Sequence, residues 1–258
     1  MKLPKEKTEP QVDLSDQTIL IHGNAKIGKS EFCCNAPESL FLATEAGLNH
    51  LTAFQIPIGT WDDLLEACAE ISLGEHNFQT IVLDTVDNAF LMCSEYICKL
   101  HGIKHPSDLG YGKGFALINN EFYRVLNKLS LMPYGLFLIS HTQEKEVETR
   151  TGKIIKFVPS LSDKVGRMVT GMCDFVLYFD SEDEVQDKDN IIERRIIRTK
   201  PSQRIVAGDR TGNLPDTIDM EYRKFLAAYK IAVSKSLKQN GRTDKSQTKT
   251  TNQRSNTK

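Results

Sequence analysis

The chain has 258 residues, 40% of them hydrophobic and 8% aromatic, and 33 Lys and Arg nearly balance 34 Asp and Glu for a net charge of −1. This is enough apolar material to bury the core of one medium domain with tails, and too little for two large domains. No run approaches the roughly 18 to 20 consecutive apolar residues of a membrane span, and residues 1–14 are too polar for a signal peptide, so the expectation is a cytoplasmic protein with no membrane partner.

Residues 1–15 are rich in Lys, Glu, Pro and Gln and read as a flexible lead-in. An apolar strand over Gln17–His22 ends in glycine, Lys29–Asn35 opens a helix, and Ser39–Thr44 is a second strand. Helical spacing of Trp61, Leu64, Leu65, Ala67, Cys68 and Ile71 predicts a helix over Trp61–Ser72, and Thr80–Leu83 is a strand running into Asp84. Helices follow over Val86–His101 and Phe115–Leu129, then a strand over Gly135–Ser140. Partly alternating residues around Thr151 and Gly152 predict a projecting β-hairpin over Lys145–Val158. Further strands are expected at Asp174–Phe179 and Ile191–Thr199, and a closing helix at Asp219–Val233. Residues 234–258 carry seven Lys and Arg against one Asp with almost nothing to bury, which predicts a disordered basic tail after a domain over 16–233. The six cysteines show no paired CxxC spacing and read as reduced core or helix residues. Strands alternating with helices imply a mainly parallel sheet covered on both faces.

Gly23-Asn24-Ala25-Lys26-Ile27-Gly28-Lys29-Ser30 fits GxxxxGK[ST] at every fixed position. Glycines permit the positive φ angles that turn successive amides toward a phosphate, Lys29 adds charge at the β and γ oxygens, and the Ser30 hydroxyl is placed for Mg²⁺. The flanking strand and helix supply the context this motif requires, so ATP and Mg²⁺ are the expected ligands. Mg²⁺ takes few protein ligands and wants a carboxylate nearby, and Asp84 at a strand's carboxyl end provides it.

Thr85 follows Asp84 where many P-loop ATPases carry a water-activating glutamate, so the base must lie elsewhere. Glu45, at the end of the strand through Thr44, is the candidate. Here the chain resembles the RecA/RadA recombinase superfamily, whose catalytic glutamate occupies this strand end. Ser140-His141-Thr142 stands where RecA-like proteins usually carry Asn-Gln; His141 is the candidate γ-phosphate sensor, with Gln143 as the fallback.

Asp108 to Phe115, the Ser140-His141-Thr142 strand end, Arg198 to Pro201 and Ala207 to Gly212 narrow the resemblance. They are similar to the phage-encoded RecA-like ATPases grouped with single-strand annealing proteins, over roughly residues 15–230. The resemblance implies a RecA-like P-loop NTPase core of α/β class, an ATPase stimulated by single-stranded DNA, and a single-stranded-DNA-binding protein as partner in recombination in a bacterial host cytoplasm. It also implies a homo-oligomer or filament. Lys145, Arg150, Lys153, Lys156 and Arg167 follow the sensing strand, where RecA proteins place a DNA-binding loop, with Phe157 available to stack on bases. Acidic residues interleave with them, and a solvated hairpin is the alternative. Lys113, within Tyr111 to Phe115, belongs to a second possible DNA loop or to a connecting turn. Lys200 and Arg210 are candidates for a cation given to a neighbouring subunit's ATP, or are surface charges. Competing functions are a small-molecule kinase, for which no Arg-rich lid segment is evident, and a nucleotide-switched helicase loader.

Overall fold

A computed structural model describes Leu3, Lys5 and residues 12–150, 152–187 and 190–252. In chain order the strands are β1 (Thr18–Gly23), β2 (Ser39–Ala43), β3 (Phe54–Pro57), β4 (Thr80–Asp84), β5 (Gly135–Thr149), β6 (Gly152–Pro159), β7 (Phe175–Asp187), β8 (Asn190–Arg198), β9 (Gly208–Asp209) and β10 (Thr217–Asp219). The helices are α1 (Lys29–Cys34), α2 (Trp61–Leu73), α3 (Val86–Leu100), α4 (Lys113–Ser130), α5 (Asp163–Met172) and α6 (Tyr222–Asn252). No helix is long and apolar enough to cross a membrane among the described residues.

The strands form one sheet in the order β10-β8-β7-β1-β5-β4-β2-β3, with β6 paired to β5 and β9 to β7. Its centre, from β7 through β3, is parallel. Central strands are apolar on both faces because helices cover both. Alternation sorts the side chains: Leu20, Ile81, Leu83, Leu136 and Leu138 pack with α2, α3, α4 and α5, whereas Ile19, Ile21, Val82, Phe137 and Ile139 pack with α1 and α6. In α4, Ile118, Phe122, Val125, Leu126 and Leu129 form the buried stripe that a 3.6-residue period allows. Helix α2 begins on a capping box, the Thr60 hydroxyl accepting from the Asp63 amide and the Asp63 carboxylate from the Thr60 amide. The cysteines are free, and Cys33, Cys68, Cys93 and Cys173 are buried.

Several elements differ from the sequence expectation. The strand β3, the helix α5 and the length of β7 are additional, and β7 and β8 make a second antiparallel hairpin. Most of the lead-in lies outside the described residues. Where the chain is described it is packed already at Leu14, which is buried and whose carbonyl accepts from the Gln17 amide at 3.2 Å. Helix α6 continues to Asn252, into the stretch expected to be without structure. A composition with little to bury argues against packing, but helical backbone satisfies its own amides and carbonyls. The rest of the tail lies outside the described residues.

Candidate nucleotide site

The P-loop leaves the buried end of β1 under tight steric control. A Cβ at Gly23 would stand 2.7 Å from the Phe179 carbonyl oxygen on β7, so only glycine fits. Gly28 has φ 108° and Lys26 has φ 64°, the left-handed conformations that curl the loop back before α1. Buried Lys29 donates from Nζ to the carbonyls of Gly23 and Asn24, at 2.9 Å each. The Ser30 hydroxyl donates to Asp84 Oδ2 at 2.6 Å, so hydroxyl and carboxylate converge on one point.

Burial holds the Lys29 ammonium below its ordinary value against the opposing charges of Asp84, Asp87 and Glu45. Burial also pushes the Asp84 carboxyl up, opposed by its hydrogen bond to Ser30 and by Lys29. An anionic phosphate and a divalent cation would relieve these two burdens together. No cluster of three or more His, Cys, Asp or Glu able to hold a metal exists among the described residues. That donor set of one hydroxyl and one carboxylate suits Mg²⁺, which completes its shell from water and phosphate oxygens.

Strand register brings Glu45 to the same place. Ala43 on β2 pairs with Asp84 on β4, and the Thr44 amide donates to the Asp84 carbonyl at 2.7 Å. The Thr44 hydroxyl accepts from the Thr85 amide at 2.6 Å and donates to the Thr85 carbonyl at 2.9 Å. With both strand ends locked, Glu45 enters the cleft beside Asp84, and Asn88 Nδ2 donates to its Oε2 at 3.1 Å. Burial raises the Glu45 carboxyl; His141 opposes the rise, and Asp84 and Asp87 add to it. A carboxylate so raised is a better proton acceptor near neutral pH.

The cleft holds about 500 Å³, enough for a nucleotide's phosphates, and Lys29, Ser30, Glu45, Asp84, His141 and Arg195 all line it. His141, from β5, is therefore at the site. Lys200 and Arg210 are not in that lining: Lys200 pairs with Asp209 at 3.0 Å, and Arg210 pairs with Asp174 at 2.9 Å and donates to the Cys173 carbonyl at 3.1 Å. Besides Lys26 and Lys29 of the P-loop, Arg195 reaches the cleft, its Nη1 3.4 Å from where a Gly28 Cβ would be. Its residue number carries no motif, and only the pairing of β8 with β7 brings it there. Asn88 and Asp87, on the first turn of α3, were likewise outside any motif.

The hairpin residues divide. Lys145 pairs with Asp163 and Lys153 with Glu146. Arg150, Lys156 and Arg167 have no ion pair among the described residues, and Lys145, Lys156 and Arg167 line a cleft of about 280 Å³ at the hairpin base. Phe157 is half-buried, and one face of its ring stacks on Tyr178 at 5.8 Å and 18°. Lys113 is the exposed first residue of α4, after Tyr111 at φ 46° and Gly112 at φ 72°, so the second loop is a tight helix-entry turn.

A P-loop at the end of β1, a Ser-Asp pair across the sheet, and a strand (β5) between the P-loop strand and the Asp84 strand define a RecA-like P-loop fold that binds nucleotide. Residues 15–211, well over half of the chain, match the AAA domain family. The chain belongs to that family and is a nucleotide-binding ATPase. A curated relative, the SPbeta prophage-derived uncharacterized protein YorG of Bacillus subtilis strain 168, is 25% identical over 181 residues, 68% of this chain. The matched region spans 54% of that relative's length. The solved structure of the flagellar accessory protein FlaH from Methanocaldococcus jannaschii is similar at 11% identity and a TM-score of 0.41, over 71% of this chain and 77% of that one.

Proposed function

We propose that the chain is a DNA-dependent ATPase that binds single-stranded DNA and promotes strand annealing or pairing in phage recombination. The observation that carries this reading is the continuity of β5. One strand passes from His141, in the nucleotide cleft, to the cationic hairpin that it forms with β6. Lys145 on β5 stands directly opposite Lys156 on β6. Asp163 answers the Lys145 charge, whereas Lys156 has no ion pair among the described residues and is left to a polyanionic ligand. The prophage-derived description of the Bacillus subtilis relative favours a phage setting.

Within this reading Lys29 and the loop amides hold the β and γ phosphates, and Ser30 and Asp84 hold Mg²⁺. The metal, when bound, neutralises charge on the phosphoryl oxygens and orients them. Glu45 takes a proton from a water in line with the γ-phosphorus, held by Asn88 in the required orientation. Arg195 is the intrachain cation at the phosphates, in place of the trans-acting role considered for Lys200 and Arg210. Planar, bidentate guanidinium suits that task.

The test is the ATPase rate of the full chain with no DNA, with single-stranded DNA and with duplex DNA, together with anisotropy of a labelled single strand. Stimulation by single strands and salt-sensitive binding are expected. Absence of binding at low salt sinks the DNA reading, and turnover that responds to a nucleoside or nucleotide but not to DNA replaces it with a kinase.

A further inference from the structure

Behind Glu45 stands a largely buried carboxylate that belongs to no motif. Asp87 sits on the first turn of α3, its side chain 12% exposed. One oxygen, Oδ2, accepts from the His141 main-chain amide at 3.0 Å and lies 2.9 Å from imidazole Nδ1. A carboxylate accepts only, so Nδ1 carries the hydrogen and Nε2 is the free nitrogen. That Nε2 lies 3.7 Å from Glu45 Oε1, beyond hydrogen-bond length but within a small side-chain rotation of it.

The other Asp87 oxygen, Oδ1, is buried without a hydrogen-bond partner among the described residues. A structural carboxylate in that position is ordinarily satisfied on both oxygens, because an unpaired buried acceptor is costly. Nor is Asp87 needed as the helix cap, since the Thr85 side chain accepts from the Asn88 amide. Among the described residues all its hydrogen bonding goes to His141. Lys29 and Asp84 face the group from the P-loop and β4, and solvent reaches the ring, which is 37% exposed.

We infer that Asp87 and His141 form the proton exit of the hydrolytic base, an inference that rests on the reading of Glu45 as that base. Water oxygen forms a bond to the γ-phosphorus as the bond from that phosphorus to the bridging oxygen of ADP breaks. The water's proton goes to the Glu45 carboxylate, then from the carboxylic acid to His141 Nε2. That transfer returns Glu45 to its charged form, and the resulting imidazolium, held by Asp87, gives its Nε2 proton to solvent and becomes neutral again. Asp87 is a positioning residue that fixes the ring's tautomer and aim, the logic by which an aspartate orients a histidine in hydrolase triads.

The experiment compares His141→Ala, Asp87→Asn and Glu45→Gln in the full chain. Affinity for a fluorescent ADP analogue is measured first, then single-turnover hydrolysis of Mg·ATP with and without added imidazole. His141→Ala is expected to keep its nucleotide affinity, to lose roughly 10²-fold in the hydrolytic step, and to recover part of that loss in imidazole. Glu45→Gln is expected to lose at least as much and to gain nothing from imidazole. Asp87→Asn, which preserves shape but weakens the acceptor, is expected to lower kcat without raising KM. A wild-type rate in His141→Ala, or a loss in that variant that imidazole leaves untouched while Asp87→Asn turns over normally, overturns the proton exit. Normal turnover in Glu45→Gln instead removes the base assignment, and the exit with it.

Discussion

Asp84 and Glu45 are both acids at the carboxyl ends of neighbouring parallel strands, yet their surroundings suit them to different work. Asp84 is tied to the Ser30 hydroxyl, and Glu45 accepts from the Asn88 side-chain amide and faces His141. Replacing Glu45 by Gln keeps that amide contact and removes the proton acceptor, so hydrolysis should fall by roughly 10² or more while ATP binding persists. Lys29→Ala should instead abolish ATP binding, since in the proposed site the buried ammonium supplies the charge at the β and γ oxygens. Isothermal titration beside a steady-state assay separates these outcomes, and equal loss of binding in both variants would refute the division of labour. These two residues were legible in the sequence because one belongs to a fixed-spacing motif and the other ends an apolar strand. Asp87, Asn88 and Arg195 were not: each is placed by packing of an element that starts or pairs far away in the chain, and no local pattern announces that.

At the scale of elements, the parallel core was legible because its strands are short apolar runs bounded by Gly, Asp or polar loops. The missed elements are those whose pattern is diluted. Strand β3 is an edge strand with mostly exposed side chains, and α5 buries little beyond Val165 and Val169 while carrying Gly166 and Gly171. Strand β7 runs beyond the expected end at Phe179 into an acidic stretch, where Arg198 reaches Asp180 and Glu182 while Arg194 reaches Glu182 across the β7–β8 ladder. The β5–β6 hairpin carries the prediction for this scale. Changing Arg150, Lys156 and Arg167 together to Ala should weaken single-strand binding and reduce the slope of log affinity against log salt by about 2, the value for three phosphate contacts on a single strand. A salt titration by anisotropy measures it, with circular dichroism confirming the fold. An unchanged slope would mean that the hairpin cations do not meet phosphates.

For the whole molecule, His22 is a tie between distant segments. Its Nε2 donates to the Val206 carbonyl at 2.7 Å, and its Nδ1 accepts from the Thr142 hydroxyl at 2.9 Å, so the folded chain needs the neutral ring. Burial pulls its pKa from 6.5 down to about 4, a shift that the Val206 bond opposes and the Lys29 charge reinforces. The unfolded chain therefore takes up this proton first. Stability from His22 is complete above pH 6.5 and is lost as pH falls toward 4, by about 3 kcal/mol at most over that window. Urea denaturation at pH 7, 5.5 and 4 should show wild type losing more than His22→Gln over this range; parallel losses would contradict it.

The same uninterrupted β5 that joins cleft to hairpin also has a mechanical meaning. Thr149 is eight residue steps along β5 from His141, and at strand rise this is a rod roughly 27 Å long. Its root is clamped by β1 on one side and β4 on the other, while β6 stiffens the free length. A polymer gripping the far end thus applies torque at a fixed pivot, and the side chain seated at that pivot is His141.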